Sequence, residues 1–294
     1  MEATLPANNF RFMRQVRGFL VLAVIFVAIG LVNLLQVASL LIFPFSKKRF
    51  RGFNTYIVGT WGRLISNLMR KVVGVKIIYT GESITEPENA FMIQNHQSMT
   101  DIVVFLPYAE SIKQIYHLKW YTKNSFKYIP GPGWCLWFIN CIFLKRDWTR
   151  DAQRVERTFA TFTKDNIPFY LTCFAEGTRF TKEKLAKSQA FAKERGEPIP
   201  RHVLIPRTKG FVSTIKGLGD RIDAVYDITI GYPNFAPSIW QIACGETPEV
   251  HIHFKRYTLD QLPKDDEGLA QWLKERYKAK DDLLERFHKT GQLI

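Results

Sequence analysis

Cysteine is scarce in this chain: four thiols among 294 residues, Cys135, Cys141, Cys173 and Cys244. They form no Cys-x-x-Cys pair and have no histidine at metal-ligand spacing. That pattern excludes a disulfide framework and argues against a metal site. Three of them sit among apolar neighbours, which suggests buried thiols in a reducing compartment. Acidic residues are scarce at the front. Residues 1–150 hold 18 Lys or Arg and only 7 Asp or Glu, so most of the net +14 lies there. Such a surplus seeks anionic partners, either lipid headgroups or nucleic acid. No nucleic-acid-binding motif is present, so nucleic acid is set aside, and there is no internal repeat or low-complexity segment.

Formal charge is missing altogether from residues 18–46. The apolar part of that stretch, residues 19–43, would be about 37 Å long as a helix at ~1.5 Å per residue. A bilayer core is about 30 Å thick. The run is too long for a signal-peptide core, and nothing downstream has disulfide logic. After a polar stretch at 1–17, residues 18–46 therefore read as a membrane helix, spanning or embedded in one leaflet. Asn33, Gln36 and Ser39 interrupt it. Basic residues flank both ends, so charge gives no orientation. Next, Phe53, Ile57, Trp61, Leu64, Leu68 and Val72 recur at helical spacing, with Arg63, Asn67, Arg70 and Lys71 opposite. Residues 50–73 are expected to be an amphipathic helix lying on the membrane, although the same pattern fits a helix packed on a globular domain.

From 75 to 257, short apolar runs alternate with helical patterns. Strands are expected at 75–79, 90–93, 112–118, 141–144, 169–174, 202–205, 223–231 and 250–257, and helices notably at 149–164 and 182–194. Alternation of this kind predicts an α/β domain with a mixed central sheet flanked by helices. Residues 258–294 read as a charged, amphipathic helical tail with no second membrane span.

Two stretches inside that domain carry chemistry. In Phe91-Met-Ile-Gln-Asn-His-Gln-Ser-Met-Thr-Asp101, a buried strand breaks into polar residues before an apolar helix. Ser98 reads as the helix N-cap. His96 then lies on the strand-to-helix bend, where Asp101 can accept a hydrogen from one ring nitrogen and leave the other free as a base. Asp101 closing a capping box is the simpler alternative. The second stretch, Phe174-Ala-Glu-Gly-Thr-Arg179, also follows a strand-like run. The Arg179 guanidinium offers a planar fork suited to phosphate, Gly177 allows close backbone approach, and Thr178 can donate its hydroxyl. Ser98 and Cys173 make poor nucleophiles: the first serves better as a cap, and the second lies in an apolar strand.

Together, Asn-His-x-x-x-x-Asp and Glu-Gly-Thr-Arg resemble the glycerolipid acyltransferases of the lysophosphatidic acid acyltransferase type, in a layout closest to longer bacterial members. The likeness covers residues 75–230. It implies that Glu176, Gly177, Thr178 and Arg179 bind the acceptor phosphate, with Glu176 bracing the arginine. A glycine-rich turn, Tyr128-Ile-Pro-Gly-Pro-Gly133, precedes a segment in which Arg146 takes the place of an acceptor-holding arginine and Phe143 helps form the wall. Lys145 departs from the family pattern there. Lys119 falls where relatives carry a basic residue near the phosphate, and Pro206 stands at the family's wall proline. The resemblance further implies acyl transfer from acyl-CoA or acyl carrier protein to lysophosphatidic acid, with no cofactor and no metal. Membrane lipids are the expected surroundings: a bacterial inner membrane, with the domain on its cytoplasmic face.

An acyl thioester is already activated, so no enzyme nucleophile is needed. The remaining tasks are general-base help from His96 and positioning of the acceptor. Three other readings stay open: an acceptor with a different lysophospholipid headgroup, a thioester hydrolase that admits water, and a non-catalytic lipid-binding protein. The intact His96–Asp101 pair argues against the last, and a hydrolase would not need Arg179.

Overall fold

A computed structural model describes residues 7–82, 88–145, 147–247 and 249–294. Its centre is a seven-stranded sheet in the order β1-β7-β6-β2-β5-β3-β4. The strands are β1 (Lys76–Gly81), β2 (Ala90–Gln94), β3 (Leu118–Lys123), β4 (Ile142–Leu144), β5 (Tyr170–Cys173), β6 (Ala224–Gly231) and β7 (Glu249–Tyr257). Pairing is parallel except between β6 and β7. This is the expected mixed α/β sheet. Strands β2, β5 and β6 are buried at every residue, as continuous apolar runs covered on both faces should be.

Helices fill both faces. On one side lie α1 (Ala7–Ser39), α2 (Lys47–Asn67), α3 (Thr100–Ser111), α4 (Pro132–Phe138) and α8 (Ile239–Ala243). Val21, Ile65, Phe105 and Leu106 from this side share a core with Met92, Tyr226 and Ile252 of the sheet. On the other side lie α5 (Trp148–Lys164), α6 (Lys182–Glu194), α7 (Thr208–Leu218) and α9 (Asp266–Thr290). There Phe159, Phe211, Leu273 and Phe287 pack on Phe91, Leu171 and Val225.

Two strand expectations are corrected. The apolar run at 112–118 is mostly the turn after α3. Ile115 is buried in the core from that turn, and β3 begins only at Leu118. Residues 202–205 form no strand, because side chains take their backbone donors. Asp281 Oδ1 accepts from the amides of Arg201, His202 and Val203 (2.9, 2.6 and 3.2 Å), and Ser188 Oγ accepts from that of Ile205. The amphipathic helix expected at 50–73, on the membrane or packed on the domain, forms as α2, which buries Phe50, Asn54, Ile57, Gly59, Gly62 and Ile65 within the protein and runs on as a π-helical turn, Leu68–Val73. Two of its basic residues, Arg63 and Arg70, reach Glu110 of α3. The amphipathic helix expected in the C-terminal tail forms as α9, and its Leu269, Leu273, Leu284 and Phe287 are core residues.

The first helix runs from Ala7 to Ser39 rather than from 18 to 46. Asn33, Gln36 and Ser39, which break its apolar run, all face inward. Asn33 brackets the peptide of Gly131, accepting from its N–H at 2.6 Å and donating to its carbonyl at 3.2 Å. Ser39 Oγ accepts from Asn54 Nδ2 at 2.8 Å. The opposite side bears Phe19, Phe26, Val27, Leu31 and Leu34, all more than half exposed.

Candidate active site

Strand β2 ends at Gln94 and α3 starts at Thr100, leaving five residues to turn the chain. Asn95 secures the exit by pairing with Ile230 of β6, Nδ2 to its carbonyl at 2.9 Å and its N–H to Oδ1 at 2.8 Å. Asp101 secures the entry to the helix. Its Oδ2 accepts from the backbone amides of Gln97 and Ser98 at 2.7 and 2.9 Å, and its Oδ1 accepts from the Tyr232 hydroxyl at 2.8 Å. The helix start is displaced by one residue from the expected N-cap at Ser98, although Ser98 Oγ still accepts from the Thr100 amide at 3.4 Å. Met99 holds the cap position, Ser98 Oγ donates to the Pro237 carbonyl, and Asp101 caps the bend from within the first turn.

The bend delivers His96 Nδ1 to Asp101 Oδ2 at 2.9 Å. A carboxylate only accepts, so Nδ1 carries the hydrogen and Nε2 keeps its lone pair. The imidazole stacks on Phe174, with centroids 4.0 Å apart and planes at 19°. Residues 174–180 are tied to it through the backbone as well: Glu176 Oε1 accepts from His96 N–H at 3.2 Å, and Phe180 N–H donates to the His96 carbonyl at 2.7 Å. The two sequence stretches thus meet directly.

Glu176 does not brace Arg179. It is buried, whereas Arg179 is exposed, and among the described residues no ion pair joins them. Burial holds the Glu176 carboxyl well above its ordinary value, against the opposing pull of the His96 backbone amide. Its Oε2 has no hydrogen-bond partner among the described residues.

A cavity of about 1430 Å³ opens in front of His96. One arm runs between α2 and α3 toward β3 and α4, lined by Val58, Gly62, Val103, Leu118, Leu136 and Ile139. The other is cationic, with Arg179, Lys184, Arg207 and Lys209. Gly177, Thr178 and Pro206 also line it, where the sequence placed them. Lys119 and Phe143 are not part of the lining. Lys119 is buried in β3, where desolvation pulls its ammonium down to about 8 against the opposing effect of Cys141. Phe143 is packed in the core behind the wall. Arg146 lies outside the described residues. Cys173 is buried, with its thiol pushed up to about 12, which leaves it inert as a nucleophile.

Residues 76–232 match the family described as acyltransferase, and residues 241–293 match the acyltransferase C-terminus. The chain belongs to the acyltransferase family. It is 35% identical over 274 residues to 1-acyl-sn-glycerol-3-phosphate acyltransferase 2 of Arabidopsis thaliana, covering 90% of this chain and 70% of that one. It is 31% identical to 1-acyl-sn-glycerol-3-phosphate acyltransferase delta of Rattus norvegicus, covering 92% and 74%. Lysocardiolipin acyltransferase 1 of Danio rerio is 34% identical, covering 83% and 64%. The solved 1-acyl-sn-glycerophosphate acyltransferase PlsC from Thermotoga maritima shares the fold, with a TM-score of 0.53 at 15% identity over 94% of this chain and 97% of that one.

Sequence reading of this acyltransferase passed over Arg207, directly after Pro206. A Cβ on Gly177, whose φ is +69°, would lie 2.9 Å from Arg207 Nε. The glycine thus makes room for the Arg207 side chain as well as for a ligand. Arg207 N–H donates to the Ala175 carbonyl at 2.7 Å, which fixes the arginine beside the Gly177 turn. A cation one position past the wall proline was the available signal. Tyr232 and Asn95 gave no signal, because their partners are more than 130 positions away.

Proposed function

We propose that this protein moves a fatty acyl group from an acyl thioester to the free hydroxyl of lysophosphatidic acid, giving phosphatidic acid. The observation that carries the reading is the His96–Asp101 pair, set where the apolar arm of the cavity meets the cationic one. The apolar arm suits an acyl chain. Arg179 and Arg207 suit the acceptor phosphate, each offering a bidentate fork.

His96 Nε2 takes the proton of the acceptor hydroxyl as its oxygen attacks the thioester carbonyl. Asp101 holds the ring by Nδ1 and stabilises the imidazolium. The C–S bond then breaks, the new ester C–O bond remains, and the imidazolium proton goes to the departing thiolate. General-base help of this kind is worth roughly 100- to 10,000-fold, and phosphate anchoring supplies orientation on top of it. The exposed apolar side of α1 supports action at a membrane, from which both lipids would enter.

The test is phosphatidic acid formation from lysophosphatidic acid and acyl-CoA or acyl carrier protein thioester, by the protein and by His96→Ala. Product from the parent only, with lysolipid binding kept in the variant, supports the reading. Equal product from both would refute His96 as base. Turnover of lysocardiolipin or another lysophospholipid in place of lysophosphatidic acid would reassign the acceptor.

A further inference from the structure

Asp101 faces His96 with one oxygen and turns the other to the opposite side of the bend. Oδ2 accepts from His96 Nδ1 and from the backbone amides of Gln97 and Ser98. Oδ1 accepts from the Tyr232 hydroxyl at 2.8 Å, its one donor among the described residues.

Tyr232 follows the last residue of β6, and the two hydrogen bonds between Asn95 and Ile230 fix that strand's end beside the bend. Its side chain is buried. Past it the chain turns back over the start of α3. There the Pro237 carbonyl accepts from Ser98 Oγ at 2.5 Å and from Thr100 Oγ1 at 3.1 Å. Thr100 Oγ1 also lies 3.2 Å from the Tyr232 oxygen, so the hydroxyl is steadied on one side and aimed at the carboxylate on the other.

A phenylalanine would fill the same space without a hydroxyl to satisfy, so the oxygen calls for a reason. The carboxylate supplies one. Each donor stabilises a buried anion and draws charge away from it. The strength of the Tyr232 hydrogen bond therefore bears on how firmly Asp101 holds a proton on the imidazole. We propose that Tyr232 is a positioning residue for the acyl transfer: its hydroxyl fixes the Asp101 carboxylate and tempers its charge, so that His96 stays neutral and available as the base. The proposal rests on the acyl-transfer reading and deepens it. Burial, with Asp101 adding to it, holds the phenol well above its ordinary value, so it remains a donor.

Other groups act on the ring from other elements. Glu176 accepts from His96 N–H from the β5 side, and Lys280, paired with Asp227, acts on Glu176 in turn. Arg179 and Lys184 share the cavity with the ring. A substitution at Tyr232 leaves each of them in place.

The test uses the full-length protein in detergent, Tyr232→Phe, and a chain carrying fluorotyrosine in place of Tyr232, a stronger donor of nearly the same size. The His96 ring is titrated by NMR without substrate, its signal assigned by its loss in His96→Ala. In parallel, kcat/KM is followed from pH 5 to 9 with lysophosphatidic acid and acyl-CoA or acyl carrier protein thioester. In Tyr232→Phe the His96 titration and the acidic limb of the profile are both expected to rise by about one pH unit, the size of a lost hydrogen bond to a charged group. Below the limb kcat/KM falls about tenfold, and it returns toward the parent at pH 9, with KM for lysophosphatidic acid unchanged. The fluorinated chain moves both quantities the other way, and it decides the sign by itself if Tyr232→Phe fails to fold. A His96 titration unmoved in both chains, a shift of the same sign in both, or a loss of turnover uniform across pH would each overturn the proposal and leave Tyr232 a packing residue. If no chain makes phosphatidic acid, the acyl-transfer reading fails, and the NMR titrations still decide whether Tyr232 acts on His96.

Discussion

Asp101 satisfies four donors with two oxygens: a ring nitrogen, two backbone amides and a tyrosine hydroxyl. An asparagine in its place keeps the volume but brings an N–H₂ to a position where every neighbour donates. Asp101→Asn is expected to lower kcat roughly a thousandfold or more, because His96 is pushed toward the wrong tautomer. It also costs stability, because the bend loses acceptors. A kcat within tenfold of the parent would contradict the pairing. Glu176 makes the opposite case. Burial keeps its carboxyl protonated in the folded chain at pH values where the unfolded chain, near 4.5, has released the proton. Folding then takes up a proton, so stability is fully present below about 4.5 and falls as pH rises, until the folded carboxyl ionises. Glu176→Gln still accepts from His96 N–H and has nothing to titrate. Denaturation midpoints followed from pH 5 to 8 are expected to be flatter in the variant, with its advantage growing toward pH 8. A parallel pair of curves would mean that Glu176 is ionised when folded. The His96–Asp101 pair was legible in the sequence because it is local. The partnership of Glu176 with His96 was not, because it depends on how β2 and β5 lie side by side.

At the scale of elements, the residues before His96 are held from the far end of the chain. Tyr277 of α9 donates its hydroxyl to the Gln94 carbonyl at 2.8 Å. Lys280, one turn on, donates to the carbonyls of Ile93 and Ile228 at 3.2 and 2.7 Å and pairs with Asp227. Both side chains are fully buried, and they fasten the end of β2, where the bend begins, to the middle of β6. Removing the lysine leaves a buried aspartate unpaired, so Lys280→Met is expected to cost roughly 3–5 kcal/mol in chemical denaturation. Adding Asp227→Asn should restore part of it. Strictly additive losses would show that the two do not act as a pair. Helix periodicity was legible here, and α6 spans 182–194 as the pattern indicated. What the pattern could not show is which backbone a charged side chain reaches. Asp281 and Lys280 looked like solvated charges in a helical tail, yet one denies residues 202–205 a strand and the other anchors the active-site strand.

At the scale of the whole molecule, α1 is fastened to the domain near both of its ends. Arg17 Nη2 donates to the Cys244 carbonyl beside α8 at 2.6 Å, and Asn33 brackets Gly131 at the start of α4. Between Arg17 and Asn33 the helix covers about 24 Å, most of the thickness of a bilayer core. A helix crossing the bilayer would have to carry α8 and α4, parts of one domain, to opposite surfaces. The arrangement instead favours a helix lying in one leaflet, its exposed ridge of Phe19, Phe26, Leu31 and Leu34 among acyl chains and its polar side against the protein. Single-cysteine labelling decides it, because the four native thiols are buried. In sealed vesicles, an impermeant maleimide is expected to reach Gln15→Cys and Phe45→Cys from the same side, the side that carries the catalytic domain. Labelling of the two from opposite sides would make α1 a span and would require the fastenings at Arg17 or Asn33 to open in the membrane. With α1 in one leaflet, those same fastenings would set the cavity's apolar arm, between α2 and α3, beside that leaflet.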